Sequence, residues 1–206
     1  RPWAKRVVRL TSIEGHLPID QLLAKLDEAG AMGSDLVALY EFVWISGGPP
    51  ERVAEMTARA RENLAQVAAK AKQWHMYVLI AGVIDRLERN EAILYDREGQ
   101  EVGRYYKIVR THDEQICGDE TPILETDFGR IGVHICADEA YVEIDRCYGI
   151  KGADIVVVPT QSWGPDAWSR NLRDISRAMD AGVFFLECNS ASSEVLHRKV
   201  ILEPTG

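Results

Sequence analysis

Three residues of this chain stand where short apolar runs end, and their types differ. Cys136 follows Gly132-Val133-His134-Ile135, Glu41 follows Asp35-Leu36-Val37-Ala38-Leu39-Tyr40, and Lys107 follows Glu101-Val102-Gly103-Arg104-Tyr105-Tyr106. A thiol, a carboxylate and an ammonium make a working set for acyl transfer. Each has a plainer explanation when taken alone. A lone cysteine at a strand end is most often a small buried side chain, and a glutamate or lysine there is most often solvated. His134 is a rival base, because positions i and i+2 share a strand face. Same-face neighbours stand roughly 7 Å apart, too far for a direct hydrogen bond, which leaves His134 a pocket-lining role. Trp163, in the loop after the following strand, is a second lining candidate.

The elements that must hold these residues follow from hydrophobic periodicity. Strands are expected at Arg6–Leu10, Asp35–Tyr40, Met76–Ile84, Ala92–Tyr95, Glu101–Tyr106, Pro122–Thr126, Gly132–Ile135, Ala153–Pro159, Val183–Glu187 and Lys199–Leu202. Helices are expected at Leu17–Met32, Glu51–Trp74, Asp138–Gly149 and Pro165–Ala181. The buried stripe of the second helix reads Val53, Met56, Ala60, Leu64, Val67, Ala71 and Trp74, and Trp168, Leu172, Ile175 and Met179 lie on one face of the fourth. Asp138 is placed as the N-cap of the third helix, with Cys136 at the strand-to-helix elbow. A thiol beside the positive end of a helix, with Lys107 near, is expected to ionise readily. Strands alternating with helices, with hairpins among them, give an α/β fold with mixed sheets. Sites in such folds gather at the carboxyl ends of strands.

Bulk properties narrow the function. With 206 residues the chain suits one layered domain spanning 1–206. A formal net charge of −8 argues against nucleic acid or an anionic membrane as a partner. No apolar run reaches membrane-spanning length. Cys117, Cys136, Cys147 and Cys188 show no paired short spacing and read as free thiols of a reducing, cytoplasmic compartment. The five histidines are scattered, with no pair at ligand spacing, so no metal centre is expected.

The ordered set of motifs resembles the nitrilase, or carbon–nitrogen hydrolase, superfamily. Gly33 through Glu41 is similar to the family's Gly/Ala-Asp-Leu-Val strand ending in Pro-Glu. Tyr105-Tyr106-Lys107-Ile108-Val109-Arg110, with Glu114 beyond it, is similar to Tyr-x-Lys-x-x-Leu followed by an acidic residue. Gly129 through Glu143 resembles Gly-Arg-Ile-Gly-Val-x-Ile-Cys-aromatic-Asp-x-x-Phe-Pro-Glu, and Arg177 through Gly182 resembles Arg-Ala-x-Glu-Asn-Gly. The resemblance implies a four-layer αββα sandwich of two mixed sheets, paired into homodimers or higher homo-oligomers through helices near the nucleophile. It also implies roles: Cys136 as nucleophile, Glu41 as general base, Lys107 and the Ala137 backbone N–H as oxyanion partners, and Glu114 (or else Glu120) as the orienting glutamate. The substrate would be a small non-peptide amide or carbamoyl compound, cleaved through a thioester with no metal or organic cofactor needed. Nitrile hydrolysis, acyl transfer to an amine, and ligand binding without turnover are the alternatives.

Departures from the pattern are Tyr40 for Pro, Ala137 for an aromatic and Val142 for a second Pro. Cys-Ala-Asp stands closer to the amidase-type Cys-aromatic-Asp than to the Cys-Trp-Glu of nitrilases. After Asn189 the pattern shortens, and the family's usual C-terminal tail is expected to be missing.

Overall fold

The computed structural model describes residues 7–15, 17–43, 50–85, 89–111, 116–161, 167–189 and 201–202. Its first half builds one sheet. β1 (Leu10–Ile13), β2 (Leu36–Val43) and β3 (Tyr77–Asp85) are parallel, and β4 (Arg89–Tyr95) and β5 (Glu101–Tyr106) extend them as antiparallel neighbours. Helix α1 (Ile19–Ala31) joins β1 to β2, and α2 (Pro50–Trp74) joins β2 to β3. The second sheet contains β6 (Leu124–Glu125), β7 (Arg130–Val133), β8 (Ile155–Thr160), β9 (Phe184–Asn189) and β10 (Ile201–Leu202), in the order β10-β9-β8-β7-β6. Here β7, β8 and β9 are parallel, and the outer strands β6 and β10 are antiparallel to their neighbours. Helices α3 (Val142–Lys151) and α4 (Ala167–Ala181) make the crossovers.

Strand side chains alternate between faces, and here the alternation sorts them into three cores. Val37, Leu39, Val78, Ile80 and Ile93 pack on Leu22, Leu26 and Ala29 of α1 and on Leu64, Val67 and Ala71 of α2. Leu36, Ala38, Leu79, Ala92, Leu94 and Tyr105 face Ile131, Val133, Ile135, Val157 and Leu186 of the other sheet. Val156, Val158 and Phe185 meet Ile144, Tyr148 and Ala178 from α3 and α4. The layers therefore run helix, sheet, sheet, helix, the αββα sandwich that the motif set implies. The expected stripe of α2 is buried from Ala60 to Ala71, because packing on its own sheet removes that face from water.

Four expectations need correction. The first strand is Leu10–Ile13 rather than Arg6–Leu10: Val7 is exposed, and Arg9 instead ties its backbone to Asp35, whose N–H donates to the Arg9 carbonyl at 2.8 Å. The hairpin strand β4 begins at Arg89, not Ala92. Asp138 does not cap a helix. A 3-10 turn, Cys136–Ala140, comes first, then extended Tyr141 (φ −111°, ψ 101°), and only then α3. Helix α3 ends at Gly152, whose φ of 77° is the left-handed conformation that glycine adopts at low cost. Finally, α4 does not bury Leu172 and Met179, which are exposed; Asp174 and Ala178 are buried instead. A polar residue on the covered face shifted the stripe that hydropathy alone suggests.

Candidate active site

The space between the two sheets at the carboxyl ends of β2, β5 and β7 collects the three reactive side chains. Glu41 reaches it through an irregularity. The register of β2 on β3 pairs Ala38 with Leu79 but Glu41 with Ala81, so one extra residue bulges from β2. Leu39 and Tyr40 consequently both pack toward the helices. Strict alternation would send Glu41 the same way as Val37 and Leu39. The bulge reverses the phase and aims its carboxylate between the sheets, a re-aiming that bulges commonly perform beside sites. Glu41 is 6% exposed. Its Oε1 accepts a hydrogen bond from Asn90 Nδ2 at 2.5 Å, and its Oε2 accepts one from the Gln161 backbone N–H of the opposite sheet at 3.1 Å.

Lys107 directly follows β5 on the face of buried Tyr105. It is 3% exposed, with Nζ 3.5 Å from Glu41 Oε1 and 3.0 Å from Thr111 Oγ1. Its backbone is fixed on both sides: its N–H donates to the Asn90 carbonyl at 2.9 Å, and its carbonyl accepts from the Gly118 N–H at 2.8 Å. A lysine so deeply buried keeps its charge only with a partner, and Glu41 provides one.

Cys136 sits where β7 breaks into the 3-10 turn, with φ of 48°, one of only two positive-φ non-glycine residues among the described residues. Such a backbone costs of order 1–3 kcal/mol and persists where its surroundings fix it. The thiol is not spontaneously ionised, contrary to the sequence expectation. Burial and the Glu41 charge push it above the ordinary thiol value; a hydrogen bond from Thr160, the Lys107 charge and a Gln161 backbone contact offset part of that rise. The turn is five residues long, so the full helix end on which the expectation relied is absent. A protonated thiol with a carboxylate beside it is arranged for proton transfer at the moment of attack rather than for a standing thiolate.

The structure does not bring His134 to this cluster. It is 0% exposed on the opposite face of β7, with Nε2 3.1 Å from Asp145 Oδ1 on α3 and its ring against Phe185. Arg177 of α4 approaches the same Asp145 (Nε to Oδ2, 3.3 Å). Burial alone would lower the His134 pKa, but Asp145 outweighs it and the value is raised. His134 therefore belongs to a polar contact under α3 and α4. Alternation alone would put Cys136 on the same face as His134; the backbone turn at the cysteine, with its φ of 48°, separates them. Ala137 is half-buried, directly after Cys136. Glu114 and Trp163 lie outside the described residues. Glu120 is exposed and lines an open cavity of about 490 Å³ with Glu143 and Cys147, a lining that includes none of Glu41, Lys107 and Cys136.

Asn90, Thr160 and the Gln161 backbone are site components that sequence reasoning missed. Asn90 was findable: Asn90, Ala92 and Leu94 share the inward face of β4, and a polar residue there is unusual. Among the described residues no group of His, Cys, Asp and Glu could hold a metal ion, no helix is long and apolar enough to cross a membrane, and all four cysteines are free.

A buried Glu-Lys pair and an elbow cysteine between the sheets of an αββα sandwich define a class of hydrolase-like proteins. Comparison with known sequences names the family. The sequence model of the carbon–nitrogen hydrolases matches residues 17–204, and the chain belongs to that family. A bifunctional nitrilase/nitrile hydratase of Nicotiana tabacum is 26% identical over 213 residues, covering 89% of this chain and 60% of that protein. An omega-amidase of Xenopus tropicalis is 27% identical over 191 residues, covering 82% of this chain and 67% of that protein. The chain thus spans only about three fifths of the tobacco relative's length. Among solved structures, an amidase from Nesterenkonia sp. superposes with a TM-score of 0.81 at 17% identity, covering 96% of this chain and 82% of that one. A variant of the amidase from Nesterenkonia sp. AN1, with acrylamide added at its active-site cysteine, matches with a TM-score of 0.80 at 17% identity, covering 96% of this chain and 86% of that one. At such identity the superposition establishes the fold.

Proposed function

We propose that the protein hydrolyses the C–N bond of a small, non-peptide amide or carbamoyl compound through a thioester on Cys136. The observation that carries this reading is the shared buried space: Glu41 lies 3.5 Å from the Lys107 ammonium, and its charge acts directly on the Cys136 thiol. As sulfur attacks the carbonyl carbon, the thiol proton passes to Glu41 and the C–S bond forms. The oxygen takes the negative charge, which Lys107 and the Ala137 N–H stabilise. When the intermediate collapses, the C–N bond breaks and Glu41 returns the proton to the departing amine. Water, deprotonated by Glu41, then attacks the thioester; the C–S bond breaks, the acid leaves and the thiol regains its proton. Glu114 would orient the substrate side of this site. Amides are poor electrophiles, and a fixed cation where charge develops is what their cleavage requires.

Cys-Ala-Asp supports the amide side of the family over the nitrile side. Pairing of two copies through the α3 and α4 layer belongs to the same reading, and the exposed Tyr141, Ile150, Leu172 and Met179 of that part of the chain support it. The deciding experiment incubates the protein with a panel of small amides, carbamoyl compounds and nitriles, and separates ammonia, acid, amide and transferred acyl products. Wild type releases ammonia or amine with acid, an acyl adduct forms on Cys136, and Cys136→Ala lowers turnover by about a thousandfold or more. Amine release that survives Cys136→Ala overturns the mechanism. Amide formed from nitrile moves the protein to the nitrile branch.

A further inference from the structure

Asp138 stands two residues past the nucleophile, is 0% exposed, and has no cation among its hydrogen-bond partners in the described residues. A buried carboxylate is costly unless its oxygens are hydrogen-bonded, so its partners indicate what it is kept for. Its Oδ2 accepts from the Ile135 N–H at 2.9 Å and from the Tyr105 hydroxyl at 2.6 Å. Its Oδ1 accepts from the Val109 N–H at 2.7 Å. Ile135 immediately precedes Cys136, just past the end of β7 of the second sheet. Tyr105 and Val109 stand two residues before and two residues after Lys107, on the first sheet and the segment leaving it. One carboxylate thus grips the nucleophile elbow on one side and brackets the lysine on the other.

The local backbone reinforces the grip. The Asp138 N–H donates to the Ile135 carbonyl at 3.1 Å while its side chain accepts from the Ile135 N–H, a reciprocal pair that closes the 3-10 turn. The Tyr141 N–H donates to the Asp138 carbonyl at 3.0 Å. Burial and the adjacent Asp138 charge keep the Tyr105 phenol protonated, so it remains a donor. Charge-assisted bonds of this length are about twice as strong as neutral ones, and three on one group make a stiff joint.

From this geometry we infer that Asp138 is a positioning residue that sets the distance between Lys107 and the Cys136 thiol by bonding the loops of both sheets at once. The inference rests on the proposed amide chemistry, because it presumes that Lys107 acts on that thiol. It goes beyond packing. A merely structural carboxylate would stabilise the elbow, whereas this one links the thiol's electrostatic partner to the thiol. Asparagine separates the two possibilities. Its amide presents one oxygen and one NH2, so it faces a donor with a donor either at Val109 or at Ile135, and it cannot keep all three of the bonds that tie the lysine side to the cysteine side.

The test measures coupling rather than loss. Folded protein is treated briefly with limiting iodoacetamide, and the labelling rate at Cys136 is mapped by mass spectrometry. The rate is compared with and without Lys107→Ala in the wild-type, Asp138→Asn and Tyr105→Phe backgrounds. In wild type, Lys107→Ala slows labelling about tenfold, because a nearby cation is lost from a buried thiol. In Asp138→Asn the same change matters by less than about twofold, and in Tyr105→Phe it falls between. A Lys107 effect that stays at its wild-type size in folded Asp138→Asn overturns the inference and leaves the amide reading intact. If that variant does not fold, an undiminished effect in Tyr105→Phe, which removes only one hydroxyl, overturns it equally. Should wild-type labelling ignore Lys107 altogether, the lysine does not act on the thiol and the inference falls; the amide reading falls separately, if amine release survives Cys136→Ala.

Discussion

Asn90 is the residue whose part in the proposed reaction is easiest to isolate. Its amide N–H holds Glu41 Oε1 at 2.5 Å while its own carbonyl holds the Lys107 N–H at 2.9 Å, so one side chain and one backbone group register the base against the lysine. Glu41 must meet the thiol, the leaving amine and the attacking water in turn, and each meeting depends on its orientation. Displacements of about 1 Å at a reacting group can cost roughly a hundredfold in rate. Asn90→Ala therefore lowers kcat by about ten- to a hundredfold with little change in KM. Steady-state kinetics on the best amide of the panel checks it, and a pure KM effect would move Asn90 to substrate binding. The raised Cys136 pKa belongs to the same scale. A resting thiol that is protonated is shielded from adventitious oxidation.

Secondary elements act here through their ends and irregularities. The bulge in β2 turns Glu41 inward, and the break of β7 into a 3-10 turn releases Cys136 from the alternation that buries His134 on the far face. Helix α3 packs on β7 just before that break. Gly132 makes the approach possible: a Cβ there would meet Tyr148 Cδ1 at 2.6 Å and Cγ at 2.7 Å. Tyr148 is fully buried and its hydroxyl donates to the Val133 carbonyl, so the ring has no room to give. Gly132→Ala pushes α3 off the strand that carries the nucleophile and destabilises the protein by about 1–3 kcal/mol, as overpacking does. Urea midpoints measure the loss. Cys136 labelling by iodoacetamide falls with it; a stability loss that left labelling untouched would show that the elbow is positioned independently of α3.

The whole molecule is fastened at both ends of the sheet pair. Opposite the site, Arg97 of the β4–β5 turn bonds Asp127 at 2.9 Å and Asp35 at 2.7 Å and stands over Tyr77 and Phe128, joining the two sheets there. At the site end, Asp138 makes the corresponding connection. Behind the elbow the fold stores a pH-sensitive group. Asp174 of α4 is 1% exposed; burial first, then the Glu187 and Glu139 charges, push it up to about 9, against the pull of Arg173. Unfolded, the same carboxyl titrates near its ordinary 3.8. The folded chain therefore holds a proton that the unfolded chain gives up. This group's contribution to stability is complete below about pH 4, declines as pH rises, and is gone above about pH 9. Urea midpoints fall between about pH 5 and about pH 8 in wild type, and Asp174→Asn, neutral throughout, flattens that slope. An unchanged slope in the variant would place the titration elsewhere.

Much of this was decided by the sequence alone. Strand and helix order, the mixed sheets, the family and the Glu41, Lys107 and Cys136 set follow from hydrophobic period and motif spacing, which are local properties that each segment carries by itself. The tertiary structure decided which way those residues face. A bulge of one residue in β2 reverses every side chain after it, and neither hydropathy nor motif spacing marks where the extra residue is absorbed. The protonation state of Cys136 was likewise invisible. Helix-end and lysine effects can be guessed from neighbours in sequence, but desolvation and the Glu41 charge exist only once two sheets close over the thiol. Asp138 shows the limit most plainly. Its position after the cysteine reads as a helix cap, because capping is what an aspartate does locally. Its actual partners, Tyr105 and Val109, stand about thirty residues away, and only the packing of one sheet on the other brings them to it.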